Sequence, residues 1–244
     1  MKDCRLTVAE NVPLTKDVCR MVLRGDVRAF TAPGQFLNLR LAGKYLRRPI
    51  SLCDLREDRV TIIYKVVGQG TAQMAAMLPG EKLDALTGLG NGYDMADAGK
   101  NPLLIGGGVG TPPLYLLARW LRELGKPVQV VLGFNKASEV FYEDEFRALG
   151  CAVTVATADG SYGARGFVTD ALPEDYSYYY CCGPEPMLKA VYKTARGSGQ
   201  LSFEKRMGCG FGACMGCSCR TITGYKRICR DGPVLRKEEI LWED

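Results

Sequence analysis

The sequence predicts a mixed architecture, part all-β and part α/β: a small antiparallel β-barrel, then helices and strands on a parallel sheet, then a cysteine-rich tail. Three observations predict it. Residues 1–97 break into short β-branched or alternating stretches separated by Pro, Gly or Asp. Residues 98–199 alternate apolar strands with helices, and residues 200–244 are rich in Gly and Cys with little periodicity. At 244 residues, 47% hydrophobic and 24% charged, the chain is long enough for two compact domains and an appendage.

In the first segment "CRLTVAENV", "VCRMVLRG", "QFLNLRLA" and "RVTIIYKVV" read as strands, at a spacing that suits a small barrel. One helical piece, "TAQMAAML" (71–78), is stopped by Pro79-Gly80. In the second segment "PLLIGGGVG" is a buried strand running into glycines, and "TPPLYLLARWLREL" is a helix with proline in its first turn. "PVQVVLGF", the helix "EVFYEDEFRAL" and "AVTVAT" follow, and "YSYYYCCG" with "EPMLKAVYKTA" repeats the strand–helix theme of a parallel sheet. The tail forms a domain only if something other than a core holds it together.

Composition removes several function classes. The net charge of +5 is spread without a dense basic tract, which permits an acidic ligand such as a nucleotide but does not mark a nucleic-acid binder. The N-terminus "MKDCRLTVAENV" lacks a secretory leader, and no apolar run approaches the roughly 18 residues of a membrane helix, so a cytoplasmic protein is expected. Eleven cysteines, five of them between 209 and 229, point to metal or redox chemistry rather than a disulfide framework. Histidine is absent, which excludes histidine-ligated iron, a Cys/His zinc site and an imidazole base.

Three motifs carry chemistry. "IGGGVGTPPL" (105–114) falls just past a strand of the parallel sheet, where glycines let backbone approach a pyrophosphate and a helix N-terminus offers N–H groups. It departs from the usual G-x-G-x-x-G, and no acidic residue sits cleanly at the end of the second strand, "VLGFNK", so the choice between NAD and NADP stays open. "CCGPEPM" (181–187) ends another strand and opens a helix, with Cys182 suited either to packing near a nicotinamide ring or to a buried strand position. In "RRPISLCD" (47–54), Pro49 holds Arg48 extended and displays its guanidinium near the Ser51 hydroxyl, a combination that suits a phosphate and also an ordinary strand start.

In order and wording, R-P-I-S, "VVGQGT", "GLGNGY", "GGGVGTPPL" and "CGPEPM" resemble the ferredoxin–NADP reductase superfamily. With the tail "CGFGACMGC…CRDGPV" the whole chain resembles the electron-transfer subunits of type B dihydroorotate dehydrogenases. The resemblance implies an FAD domain over 1–97, an NAD domain over 98–199 and a [2Fe–2S] domain over 200–244. It carries FAD contacts onto Arg48, Pro49, Ile50 and Ser51, then Ile63, Tyr64 and Lys65, then Gly70 and Thr71. It carries nicotinamide-nucleotide contacts onto Gly107, Gly108, Gly110 and Thr111, and onto Cys182, Gly183, Glu185, Pro186 and Met187; "DGSYGARGFVTD" (159–170) falls on the nucleotide side.

Cys209-x4-Cys214-x2-Cys217 has the spacing of the first three ligands of a plant-type [2Fe–2S] cluster. For the fourth, Cys219 requires the loop to double back sharply, whereas Cys229 can return along a hairpin and matches the family's fourth cysteine; the expected set is Cys209, Cys214, Cys217 and Cys229. The return is shorter than in many relatives. Structural zinc is the competing ion, but zinc sites come as two CxxC-like pairs rather than a clustered triple plus one.

A cluster, a flavin and a nicotinamide site on one chain make a converter between one-electron and two-electron carriers. No residues remain for oxidising dihydroorotate, so the resemblance implies a separate FMN-containing catalytic subunit, in a two-plus-two heterotetramer, with electrons running from FMN through [2Fe–2S] and FAD to NAD+ in de novo pyrimidine (UMP) biosynthesis. Phe211 and Met215, apolar residues beside the ligands, are candidate partner contacts or tail packing. The alternatives are the small flavin subunit of a sulfide dehydrogenase or of an electron-bifurcating NADH-dependent ferredoxin:NADP oxidoreductase, and, from a different class, a zinc-stabilised adaptor without activity.

Overall fold

A computed structural model describes residues 1–242, so the last two residues of the expected 200–244 segment lie outside it. The first part contains β1 (Lys2–Pro13), β2 (Val18–Arg24), β3 (Phe36–Arg40), β4 (Arg48–Arg56), β5 (Arg59–Lys65), the helix α1 (Gln69–Ala75) and β6 (Lys82–Leu89). The strands close into an antiparallel barrel in the order β1-β2-β5-β4-β3-β6. Closure gives every strand a neighbour on both sides, although the pairing of β4 with β5 covers only part of their length. Alternation does the rest: in β6 every second residue is buried, and Leu6, Met21, Leu37, Leu52, Ile62, Tyr64 and Leu83 fill the interior. Close backbone approach requires glycine at Gly88 within β6 (φ +65°), where a Cβ would fall 2.2 Å from the Ala29 carbonyl oxygen.

The second part contains β7 (Leu103–Gly107), α2 (Pro112–Glu123), β8 (Gln129–Phe134), α3 (Glu143–Ala148), β9 (Ala152–Thr157), β10 (Ala164–Arg165), β11 (Tyr179–Cys182), α4 (Glu185–Thr194) and β12 (Gly199–Ser202). These strands run parallel in the order β10-β9-β8-β7-β11-β12. Strand order reverses between β7 and β11, so the crevice of this sheet opens at their carboxyl ends. One buried cluster joins barrel to sheet, with Val18, Cys53 and Ile63 from the barrel meeting Leu104, Leu114 and Phe141.

Two expected elements differ. The helix expected over 139–149 is confined to Glu143–Ala148, preceded by a turn at Ala137–Glu139. Phe141 and Tyr142 are drawn into the junction between the two parts, and Tyr142 takes φ 68° to turn the chain there. The tail is also more regular than its composition suggests. It holds a hairpin of β13 (Ser218–Thr221) and β14 (Gly224–Arg227), and β15 (Val234–Arg236) joins the large sheet antiparallel to β12.

Barrel and tail are stitched at one loop. Asn91 Nδ2 donates to the Val234 carbonyl at 2.8 Å, the Val234 N–H donates back to Asn91 Oδ1 at 3.1 Å, and the Asn91 N–H donates to the Gly232 carbonyl at 2.7 Å. Replacing Asn91 with Ala removes the side-chain partners of the N–H and carbonyl of the buried Val234. We expect a loss of about 1–3 kcal/mol in denaturant unfolding, and faster proteolysis of the tail than of the barrel.

Candidate functional site

Past the Leu52–Ile62 pair the ladder between β4 and β5 stops. Beyond it, Arg48–Ser51 pairs only with β3, and Ile63–Lys65 only with β2. The two strands therefore present facing backbone edges across a gap. Arg48 lies at its mouth, with its Nη1 bonded to the Leu46 carbonyl at 2.5 Å. Its guanidinium packs on Gly70 in the first turn of α1, where a Cβ would fall 2.4 Å from Arg48 Nε. The Ser51 hydroxyl has no hydrogen-bond partner among the described residues and is free to meet a ligand. A planar ring with a pyrophosphate arm fits these groups: backbone edges for the ring, a guanidinium and first-turn N–H groups for the phosphates.

The other expected flavin contacts divide. Ile63 faces the junction with the sheet, whereas Tyr64 points into the barrel and donates its hydroxyl to Asn11 Oδ1 at 3.0 Å, leaving only its backbone for the gap. Lys65 pairs with Asp17 at 3.0 Å. The Thr71 hydroxyl caps its own turn, accepting from the Val67 and Gly68 N–H groups and donating to the Gly68 carbonyl. The hydroxyl is therefore engaged within the turn, and an anion there would meet the Thr71 N–H instead.

At the carboxyl ends of β7 and β11 the two glycine loops clasp each other. A Cβ on Gly110 would fall 2.3 Å from the Cys182 carbonyl oxygen, one on Gly107 2.3 Å from Met187 Sδ, and one on Gly183 2.4 Å from Met187 Cε. Those glycines are required by protein packing. Gly108 differs: φ is +50° and nothing lies within 4 Å, so it opens the loop toward a ligand. Thr111 is fully buried with its hydroxyl unpartnered. Glu185 and Pro186 are exposed, and Glu185 pairs with Lys205 at 3.0 Å. Burial pushes the Cys182 thiol up to about 12 despite its contacts with the Ser202 and Tyr93 hydroxyls, so it stays neutral, a polarizable surface rather than a nucleophile. Tyr93 closes the "GLGNGY" stretch, whereas Ser202 carries no sequence motif and only the return of β12 beside β11 brings it there.

All eleven cysteines are free. The four expected ligands form two pairs. Ala213 and Cys214 donate their N–H groups to Cys209 Sγ at 3.2 and 3.4 Å, and the Cys209 N–H donates to Cys214 Sγ at 3.5 Å. The Cys229 N–H donates to Cys217 Sγ at 3.4 Å. Among the described residues no three His, Cys, Asp or Glu side chains converge as a mononuclear site requires. Two adjacent pairs suit a two-iron cluster, in which each iron takes two thiolates, better than one zinc ion. The pairs differ in setting: Cys217 and Cys229 are 3% and 1% exposed in an apolar cluster with Phe36, Ile228 and Leu235, whereas Cys209 is half-buried and Cys214 exposed. Burial raises the Cys209 thiol, but the N–H groups of Phe211, Cys214 and Ala213 outweigh it and bring it down to about 6; burial beside Cys217 pushes Cys229 up to about 12. Cys219 lies on β13 opposite Lys226, and its thiol makes no hydrogen bond to the four.

One residue ties the cluster loop to the gap. Asn38 Nδ2 donates to the Cys209 carbonyl at 3.3 Å, and a Cβ on Gly210 would fall 2.2 Å from that nitrogen. Asn38 sits opposite Pro49 in the β3–β4 ladder, so the loop rests one strand away from Arg48–Ser51. Sequence alone does not single out Asn38. An asparagine at a buried strand position is the signal that was there to find.

We expect Arg48→Ala to weaken flavin retention about 10- to 100-fold, read as the flavin-to-protein ratio after gel filtration. Cys214→Ser should remove iron and visible cluster absorbance while flavin stays, and Cys219→Ser should leave both; loss of iron in the latter would reassign the fourth ligand.

Residues 204–241 match a family model described as the iron-sulfur cluster binding domain of dihydroorotate dehydrogenase B, and 104–193 match an oxidoreductase NAD-binding domain. The chain is 46% identical to the dihydroorotate dehydrogenase B (NAD(+)) electron transfer subunit of Bacillus velezensis, over 98% of this chain and 99% of that one. It is 43% identical to the corresponding subunit of Fusobacterium nucleatum, over 98% of each. Among solved structures, a chain of an NADH-dependent reduced ferredoxin-NADP oxidoreductase studied for flavin-based electron bifurcation superposes with a TM-score of 0.88 at 31% identity, over 97% of this chain and 90% of that one. A ferredoxin NADP+ reductase from Neisseria gonorrhoeae shares the fold, with a TM-score of 0.68 at 14% identity over 80% and 90%. Identity at this level across nearly the full length, with both family models matched in order, makes the chain a member of the dihydroorotate dehydrogenase B electron transfer subunit family.

Proposed function

We propose that this chain is the electron-transfer half of an NAD-linked dihydroorotate dehydrogenase. It takes electrons that a separate FMN-bearing subunit removes from dihydroorotate and delivers them to NAD+. The observation that carries this reading is the Asn38 bridge, which sets the cysteine loop one strand from the flavin motif at the crevice of the parallel sheet. When bound, an iron–sulfur cluster supplies one-electron exchange and a flavin couples it to hydride transfer.

The protein's own work is binding and alignment. Cys209, Cys214, Cys217 and Cys229 hold the irons, and the N–H groups aimed at their sulfurs tune them. Arg48 and the first turn of α1 hold the flavin phosphates, with Ser51 near the ring. Gly108 admits the dinucleotide to the crevice, and the neutral Cys182 thiol gives the nicotinamide an apolar wall. Alignment suffices for hydride transfer, which accords with a chain that has no histidine to act as base.

The partner docks, in this reading, on the solvent side of the cluster, where Phe211 is 42% and Met215 52% exposed beside Cys214. Two copies of each subunit assemble in the cytoplasm, where the product feeds pyrimidine nucleotide synthesis. Among the described residues no helix is long and apolar enough to cross a membrane. The likeness to the bifurcating oxidoreductase chain favours a second reading, in which the partner is a larger flavoprotein of another pathway.

Purification with the neighbouring FMN protein should yield a brown complex that reduces NAD+ with dihydroorotate, an activity absent from either subunit alone. A complex inert toward dihydroorotate but active with ferredoxin and a nicotinamide nucleotide would favour the second reading.

A further inference from the structure

The four expected ligands sit on two pieces of backbone, and the thiols by themselves do not fix how far apart those pieces stand. Cys209 and Cys214 close one turn, whereas Cys217 and Cys229 are brought together by the β13–β14 hairpin and the turn that follows it. Among the described residues two side chains from outside bond to the 209–214 turn. Asn38 reaches it from the barrel, and Arg227 reaches it from β14.

Arg227 lies opposite Ser218, the residue after Cys217, and two residues before Cys229. Its Nη1 donates to the Gly212 carbonyl at 3.0 Å. Its Nε and Nη2 donate to the two Asp231 carboxylate oxygens at 2.9 and 3.1 Å, and its backbone N–H donates to Asp231 Oδ2 at 2.9 Å. The Asp231 N–H returns to the Arg227 carbonyl at 2.7 Å, so the turn carrying Cys229 closes around this pair. A guanidinium suits the task because its planar fork gives two nitrogens to the carboxylate and holds a third at a fixed angle for a carbonyl. Arg230 covers the same spot, since a Cβ on Gly212 (φ +92°) would fall 2.7 Å from Arg230 Cδ. The Arg227 side chain is 23% exposed, so its charge is only partly screened, and it acts on the Cys217 and Cys229 thiols. Lys226, next along the strand, pairs with Glu239 instead.

An ion pair that merely closed a turn would be complete without Gly212. The third bond ties the Cys229 turn to the Cys209–Cys214 turn and sets a cation beside sulfurs whose surroundings gain negative charge when an electron arrives. We propose that Arg227, held by Asp231, is a positioning residue of the cysteine site: it fixes the spacing of the two cysteine pairs, and its charge favours the reduced state of the iron they hold. A cation at a partly exposed site stabilises added negative charge, and the Asp231 carboxylate offsets part of that effect. The inference rests on the two-iron reading given above.

The test uses the full chain purified anaerobically with its partner. Iron per chain, the rate of iron release to a chelator, and the midpoint potential from a dye-mediated titration followed by electron paramagnetic resonance are measured. Arg227→Gln keeps a donor for the Gly212 carbonyl but loses the charge and the fork. We expect its reduced-to-oxidised ratio at a fixed potential to fall about tenfold, roughly 59 mV for one electron, and its iron release to quicken by a similar factor. Arg227→Lys keeps the charge without the fork, so its release quickens while its potential stays near that of wild type. Asp231→Asn leaves the cation less compensated, and its ratio moves in the opposite direction, which loosened structure alone does not produce. Iron lost from Arg227→Gln but retained by Arg227→Lys supports the proposal, with the charge effect read from Asp231→Asn. Potentials and release rates unmoved in all three variants, or potentials shifted the same way in Arg227→Gln and Asp231→Asn, overturn the proposal alone. A wild-type complex without iron overturns the two-iron reading and this proposal with it.

Discussion

Asn91 gives both ends of its side-chain amide to Val234, and Asn38 gives its amide nitrogen to the Cys209 carbonyl. Between these two attachments runs the whole cysteine loop, which owns no core. Its buried half, around Cys217, Ile228 and Cys229, packs into a cluster whose other members come from the barrel (Phe36, Leu89) and from the sheet (Ile105, Leu201). The metal-binding segment is therefore positioned by two bodies at once. The position of the cysteine loop beside Arg48–Ser51 is inherited from barrel strand pairing rather than set by the loop itself.

Much of this was legible in the chain. The barrel strands show alternation, the parallel strands are near-continuously apolar, and the boundaries fall at Pro and Gly, so each element type follows from its period. Spacing and resemblance select Cys209, Cys214, Cys217 and Cys229 as expected ligands, and hydrogen bonds bring Cys209 beside Cys214 and Cys217 beside Cys229. What escaped sequence reading was set by distant contacts. Tyr64 alternates inward, and nothing local says that its neighbour Ile63 faces the sheet. The helix before residue 143 fails because Phe141 and Tyr142 are claimed by the inter-domain junction, a demand made by Cys53, about ninety residues away in sequence. Asn38 and Ser202 are ordinary polar residues until the fold sets them against Cys209 and Cys182.

The glycines divide by purpose in a way their spacing conceals. Gly107, Gly110 and Gly183 are small because two loops must interlock, whereas Gly108 takes φ +50° with open space beside it. Reading the glycines by spacing alone treats all of them as phosphate contacts. The clash distances separate the scaffold from the door.

The gap between β4 and β5 has a thermodynamic side. A barrel whose ladder stops at Leu52–Ile62 leaves a stretch of main chain on each wall that water must solvate. A flat guest seated there would supply the missing rungs and so would link its own retention to the cohesion of the barrel mouth. Prosthetic-group retention in such a chain is then a measure of how well the first domain is closed.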